Sequence, residues 1–239
     1  MDVARYVRQF RTLPRVVRQL ANNGTYAVNE ELFWDQYVKD WEKSQTPKSQ
    51  PYVGSEWKND EDFLSLLTRY SSAGKNALEI GCGGGRITST GVKLFKHVYA
   101  ADISEEMLRK CKESIAAANV SFHKLDGFTL GHFAAESVDC VYSHDVFVQL
   151  SSIQVYPYLG EIRRVLRPGG IGLISFYDFV GRFDLFRQWS LKFWNERKPP
   201  IYRRLHFVTE EMLRAMLSDW GLQALEAQKG KFLTVVFGK

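Results

Sequence analysis

Two hydrophobic periods divide this 239-residue chain. Residues 2–20 put Val3, Tyr6, Val7, Phe10, Leu13, Val17 and Leu20 at helical spacing, with Arg8, Arg11, Arg15 and Arg18 on the other side. Pro14 restarts that helix behind Thr12 as its cap. Residues 29–45 predict an aromatic-rich helix carrying Phe33, Trp34, Tyr37 and Trp41. The polar stretch 44–55, with Pro47 and Pro51, reads as a loop, and 60–70 as a lead-in helix. From residue 77 the pattern changes to short apolar runs at 77–80, 98–101, 120–125, 138–143 and 171–176. Helical stretches at 86–95, 104–118 and 152–166 separate them. A helix over 209–220 and two strands, 222–227 and 231–237, follow, the strands joined by a Gln228-Lys229-Gly230 turn. Strands alternating with helices predict a parallel α/β sheet, and the terminal hairpin predicts an antiparallel last strand.

The first apolar run breaks into four glycines within five residues, Gly81-Cys82-Gly83-Gly84-Gly85. A strand that delivers the chain into a glycine turn and then a helix brings bare backbone N–H groups close to a ligand. A dinucleotide fingerprint starting at Gly81 requires glycine at its sixth position, where this chain has Arg86. The pattern present is instead acidic-x-Gly-x-Gly-x-Gly, from Glu79 through Gly81, Gly83 and Gly85. With the acid on the strand, the loop suits a ligand carrying an ammonium rather than a pyrophosphate. The second strand ends in Asp102, 21 positions beyond Gly81 and near the offset at which a carboxylate meets ribose hydroxyls. Asp102 can accept from both hydroxyls; the alternative is a helix cap, a task for which Ser104, Glu105 and Glu106 are already in place.

These blocks resemble the motifs of the class I S-adenosylmethionine-dependent methyltransferases. The later blocks fit in order: Asp126-Gly127 after the third strand, Ser143-His144-Asp145 after the fourth, and Arg167-Pro168-Gly169-Gly170 before the fifth. The resemblance covers roughly residues 60–239. It implies a doubly wound, Rossmann-like, seven-stranded α/β sheet, mostly parallel with an antiparallel last strand, plus N-terminal helices. It implies S-adenosylmethionine as cofactor, held by Glu79, Gly81, Cys82, Gly83, Gly85, Asp102, Ile103, Met107, Asp126, Gly127 and Ser143. In that family an acid or amide at the place of Asp126 bonds the adenine amine, while the local reading is a plain Asp-Gly turn. The family places the end of the fourth strand beside the methyl group. There His144 is the candidate general base, with Asp145 orienting it or meeting the cofactor ammonium; equally, His144 merely borders the adenosine pocket.

Substrate residues are expected on the N-terminal helices (Tyr37, Trp41) and on the aromatic insertion 179–206 with its neighbours (Tyr177, His206). Residues 1–59 are read as a helical arm or lid and 60–239 as the cofactor-binding domain. No Asn/Asp-Pro-Pro-Tyr/Phe tetrapeptide follows the fourth strand, which argues against methylation of nucleic-acid bases. A small-molecule acceptor is favoured, with oxygen preferred over nitrogen. The alternatives are an RNA- or protein-modifying enzyme, or a cofactor-binding protein without catalysis.

Composition is that of an ordinary globular protein, with 45% hydrophobic and 25% charged residues. Three cysteines without C-x-x-C spacing suggest a reducing, cytoplasmic setting and no metal. The net charge of +5 is unevenly spread. Residues 1–20 hold five arginines against one aspartate, and 182–206 hold seven Lys/Arg against Asp184 and Glu196. The arm is therefore either a basic amphipathic helix for an acidic membrane surface or a cover for the site. Oligomeric state is not specified by any pattern.

Overall fold

The apolar runs assemble side by side into one twisted sheet. The computed structural model describes residues 26–44, 51–55, 60–196 and 205–239; the predicted arm at 1–20 lies outside them. Helices α1 (Tyr26–Lys43) and α2 (Glu61–Tyr70) lead in. Then come β1 (Asn76–Ile80), α3 (Thr88–Leu94), β2 (His97–Asp102), α4 (Glu105–Ser114), β3 (Val120–Lys124), β4 (Val138–Ser143) and α5 (Ser152–Val165). The chain continues through β5 (Leu166–Asp178), α6 (Phe183–Glu196), β6 (Phe207–Val208), α7 (Glu210–Asp219), β7 (Gln223–Lys229) and β8 (Leu233–Gly238). Strand order is β3-β2-β1-β4-β5-β8-β7, with β6 paired to the end of β5. The five strands β1–β5 are parallel; β8 runs antiparallel to both β5 and β7.

Strands covered on both faces must be apolar on both faces, which is why they read as runs rather than alternations. Leu78, Ile80 and Val141 face one way, onto Val155, Leu159 and Ile162 of α5 and Leu213 and Leu217 of α7. Ala77, Cys140 and Tyr142 face the other, onto Phe63, Leu66 and Leu67 of α2 and Cys111 of α4. Caps set helix starts. The Ser104 hydroxyl accepts from Met107 N–H at 3.0 Å and Thr209 accepts from Met212 N–H at 3.3 Å. At α5, Ser151 and Gln154 form a capping box.

Two features differ from the expected pattern. The segment Arg167-Pro168-Gly169-Gly170 lies inside β5 rather than in a turn before it. Pairing steps from Val138↔Leu166 to Cys140↔Ile171, a bulge that absorbs the extra residues where proline has no N–H to give. The insertion after β5 is a helix, α6, and it returns through β6, which adds an eighth strand to the seven expected.

Candidate active site

All the strand ends that the sequence marks for ligand binding meet at one edge. The loop after β1 is tied down by Gly81 N–H and Cys82 N–H, which both donate to Ala101 O of β2, at 2.7 and 3.0 Å. Gly81 has φ +77°, and a Cβ there would lie 2.2 Å from Val146 Cγ2. A Cβ on Gly84 would lie 2.7 Å from the backbone N of Val53. The turn is therefore closed against its neighbours at two points that admit no side chain. Gly81, Cys82, Gly83 and Gly84 face a cleft of about 1070 Å³, measured to its open mouth. Gly85 faces away, onto Cys111 and Ile115.

Glu79 and Asp102 are two of the carboxylates that line that cleft. Glu79 is 3% exposed and takes a hydrogen bond from the Tyr142 hydroxyl at 3.1 Å. Burial pushes its carboxyl up to about 7, against the pull of Thr88 and Tyr142. A cationic group in the cleft is the natural counterpart of such an acid. Asp102, also buried, accepts from Gly83 N–H at 2.9 Å and from Ser104 N–H at 2.9 Å. Burial raises its pKa while those N–H groups oppose the rise. Each carboxylate oxygen keeps lone pairs for a ligand hydroxyl. Both expected acids, then, and the glycine cradle belong to one cavity, together with Ile103, Met107 and Gly127.

Other expected cofactor residues are elsewhere. Asp126 accepts from the N–H groups of Phe128 and Thr129 and from the Thr129 hydroxyl, all at 2.7–2.8 Å. It is the Asp-Gly turn of the local reading, and Leu125 and Gly127 form the wall there instead. Ser143 is fully buried and donates to Ile80 O at 2.7 Å, tying β4 to β1 below the cleft.

His144 lies at the far wall with both ring nitrogens engaged. Nδ1 is 3.1 Å from Ser175 Oγ, and Nε2 is 3.1 Å from Asp60 Oδ1. The ring is packed against Phe63 (centroids 4.3 Å apart) and edge-on to Phe232 (4.9 Å). The Arg86 guanidinium bonds the same Asp60 oxygen. Burial pushes the Asp60 carboxyl up, but hydrogen bonds from His144 and Arg86 outweigh it and hold the carboxyl below its usual range. Asp145 does not orient the imidazole; Asp60 and Ser175 do. Asp145 instead lines the cleft with φ +61°, its N–H donating to Ser175 Oγ at 2.9 Å, and burial raises its pKa.

The four substrate residues are each displaced from the cofactor cleft. Glu30 and Trp34 of α1 reach it, whereas Tyr37 and Trp41 pack one and two turns further along against Val38, Val53 and Met107. His206 is fixed by its N–H to Val148 O at 2.6 Å and lines neither cavity; burial lowers its pKa. Tyr177 stacks on Phe232 with centroids 5.4 Å apart. It lies beside a second cavity, about 950 Å³ to its mouth, bounded by His144, Phe232, Arg182, Lys231, Glu61 and Asp62. Sequence reading missed Asp60, Trp34, Ser175 and Arg182. Only Trp34 carried a signal, since it continues the helical stripe of Tyr37 and Trp41.

A glycine turn at the carboxyl edge of β1, a carboxylate at the end of β2 and a covered parallel sheet define an α/β enzyme built around a nucleoside-type cofactor. Residues 78–174 match the family described as a methyltransferase domain. The chain is 30% identical over 145 residues to phosphoethanolamine N-methyltransferase 1 of Triticum aestivum, covering 59% of this chain and 26% of that protein. It is 35% identical over 107 residues to the malonyl-[acyl-carrier protein] O-methyltransferase of Bacillus cereus, covering 43% and 39%. The chain thus spans well under half the length of these relatives. The fold is shared with the methyltransferase in a complex with the Trm112 methyltransferase activator from Haloferax volcanii, at a TM-score of 0.67 and 19% identity over 85% of this chain and 97% of that one. Residues 78–174 and the fold around them are similar to the class I S-adenosylmethionine-dependent methyltransferases, a class whose cofactor is S-adenosylmethionine. The cleft fits that cofactor in three respects: a glycine turn held close against Val146 and Val53, the buried Glu79 carboxyl as counterpart for a cation, and the buried Asp102 carboxyl at the end of β2 with lone pairs open to a hydroxyl. Among the described residues no group of His, Cys, Asp and Glu is arranged to hold a metal, no helix is long and apolar enough to cross a membrane, and all three cysteines are free.

Proposed function

We propose that this chain transfers a methyl group from S-adenosylmethionine to a small-molecule acceptor, at oxygen rather than nitrogen. When bound, S-adenosylmethionine supplies a methyl group on a sulfonium, and the protein's task is orientation and proton acceptance. The relatives' names point both ways, one to nitrogen and one to oxygen. The observation that carries the reading is the imidazole–carboxylate pair His144–Asp60 set between the cofactor cleft and a second cavity. An acceptor hydroxyl must lose a proton, and an imidazole is the side chain that takes one near neutral pH.

Ser175 can hold the tautomer that this requires, with the proton on Nδ1. Its Oγ already accepts Asp145 N–H and can either donate to Nδ1 or accept from it. An acceptor hydroxyl that displaces Asp60 from Nε2 meets a nitrogen whose partner proton is then held on Nδ1 by Ser175. Asp60, kept ionised by Arg86, stabilises the imidazolium that results. Glu79 and Asp145 remain for the cofactor's charged end, and Asp102 for its sugar. Asp126, turned into its own loop, is left out of adenine recognition.

Methyl transfer from tritiated S-adenosylmethionine to matched hydroxyl and amine acceptors tests the reading, beside calorimetry with S-adenosylhomocysteine. Binding of a nicotinamide cofactor in place of S-adenosylhomocysteine overturns it. Labelling of amines alone overturns the preference for oxygen.

A further inference from the structure

We propose that the second cavity seats the methyl acceptor and that Arg182 receives an anionic group on it, a carboxylate or a phosphate. What the cavity holds rests on the methyltransferase reading; the anion site itself does not. Arg182 follows β5 and enters the cavity wall half-buried. Its guanidinium lies over the Tyr177 ring, 5.4 Å from the centroid. Among the described residues no carboxylate pairs with it, although Arg69, Arg109, Arg164, Arg167 and Arg214 each have one. A half-buried guanidinium over an aromatic ring on the wall of a cavity is suited to receive an oxyanion.

An aromatic row joins this cation to the proposed base. Arg182 lies over Tyr177, Tyr177 stacks on Phe232 with 16° between planes, and Phe232 meets His144 edge-on. A small acceptor laid along the row has its anionic end at Arg182 and its reacting atom at His144, whose ring also borders the cofactor cleft. Lys231, over the Phe232 ring at 5.3 Å, adds a second positive charge to the hairpin side. Glu61 and Asp62 stand exposed on the wall of the same cavity, Asp62 against the hairpin turn at Gly230. They repel a second negative charge, so the cavity suits a ligand with one anionic group and rejects a phosphate polymer.

The test is a titration of the full chain saturated with S-adenosylhomocysteine, in low-salt buffer, with inorganic phosphate, with acetate and with glycerol as neutral control. Resonances of Arg182 Nε–H and of the Gly230 and Lys231 amides report the site. A saturable shift with either anion and none with glycerol is expected, the stronger anion telling phosphate from carboxylate. Arg182→Gln weakens that anion at least tenfold and leaves S-adenosylhomocysteine affinity within twofold; Arg182→Lys falls between. Unmoved resonances, or an Arg182→Gln protein that titrates like wild type, overturn the proposal. Failure to bind S-adenosylhomocysteine sinks the methyltransferase reading instead, and the anion titration of the unliganded chain then decides the site alone.

Discussion

His144 Nε2 and Asp60 Oδ1 lie 3.1 Å apart although 84 positions separate them in the chain, and Arg86 holds the same carboxylate oxygen. The start of α2, the end of β4 and the glycine turn are thereby joined at one point. His144→Ala is expected to lower kcat roughly 10²–10⁴-fold, the range for loss of a general base, with cofactor affinity little changed. Asp60→Asn keeps the shape and removes the charge. It should lower kcat, leave KM for cofactor similar and cost roughly 1.5–3 kcal/mol of stability through the lost charged hydrogen bonds. Steady-state kinetics and denaturant unfolding check both. A His144→Ala enzyme with wild-type turnover would remove the imidazole from the mechanism.

Glu79 and Asp60 titrate with opposite sign. The Glu79 carboxyl sits at about 7 against 4.5 when unfolded, so its stabilising contribution is complete below pH 4.5 and is lost as pH rises through 7. That rise corresponds to roughly 3 kcal/mol. Asp60, held below its ordinary 3.8, contributes above that value and loses its contribution as pH falls through its folded pKa. The unliganded protein should melt at lower temperature at pH 8 than at pH 6, and Glu79→Gln should flatten that slope. Scanning calorimetry across this range decides it.

A cationic ligand beside Glu79 favours the ionised acid. Cofactor binding at pH 6.5 should therefore release protons, and affinity should rise between pH 6 and pH 8. Calorimetry in buffers of different ionisation enthalpy measures the proton count. No proton release in wild type would mean that Glu79 does not face the ligand's cation.

Alanine at Gly81 and at Gly83 should behave differently. At Gly81 the new Cβ strikes Val146 and the backbone has positive φ, so about 2 kcal/mol is lost with most cofactor affinity. At Gly83 nothing lies within 4 Å of a Cβ, and only the φ of +52° opposes the change. Gly83→Ala should therefore unfold later than Gly81→Ala in urea, an order that packing at Val146 requires.

Asp102→Ala and Asp126→Ala separate the two sequence-assigned carboxylates. The first removes charge-assisted bonds to the ligand sugar and should weaken S-adenosylhomocysteine roughly 10–100-fold. The second only loosens a turn, at about 1 kcal/mol, with affinity unchanged. Equal losses of affinity would return Asp126 to the cleft.

The core of this site was legible because its parts are local. A buried parallel strand is an unbroken apolar run, a tight approach demands glycine, and Asp102 follows at a fixed spacing along one βαβ unit. Ser104 and Thr209 marked their helices because caps act within three residues. What escaped depends on contacts across the chain. No local pattern ties Asp60 to His144, 84 positions further on. Helical spacing identified the face of α1 that carries Trp34, Tyr37 and Trp41 but not how far along it the cofactor cleft lies, which Glu30 and Trp34 reach. At Asp126 the turn's own N–H groups and the Thr129 hydroxyl took the two oxygens, and at Leu166 pairing with Val138 began the strand before the proline.

β8 lies between β5 and β7, with Gly172 passing directly under the ring of Phe237. Until residues 233–238 leave the ribosome, β5 has one bare edge, and the hairpin carrying Lys231 and Phe232 has nothing to fold against. The wall behind His144 therefore depends on a strand made later in synthesis than the strands that carry the glycine turn and Asp102.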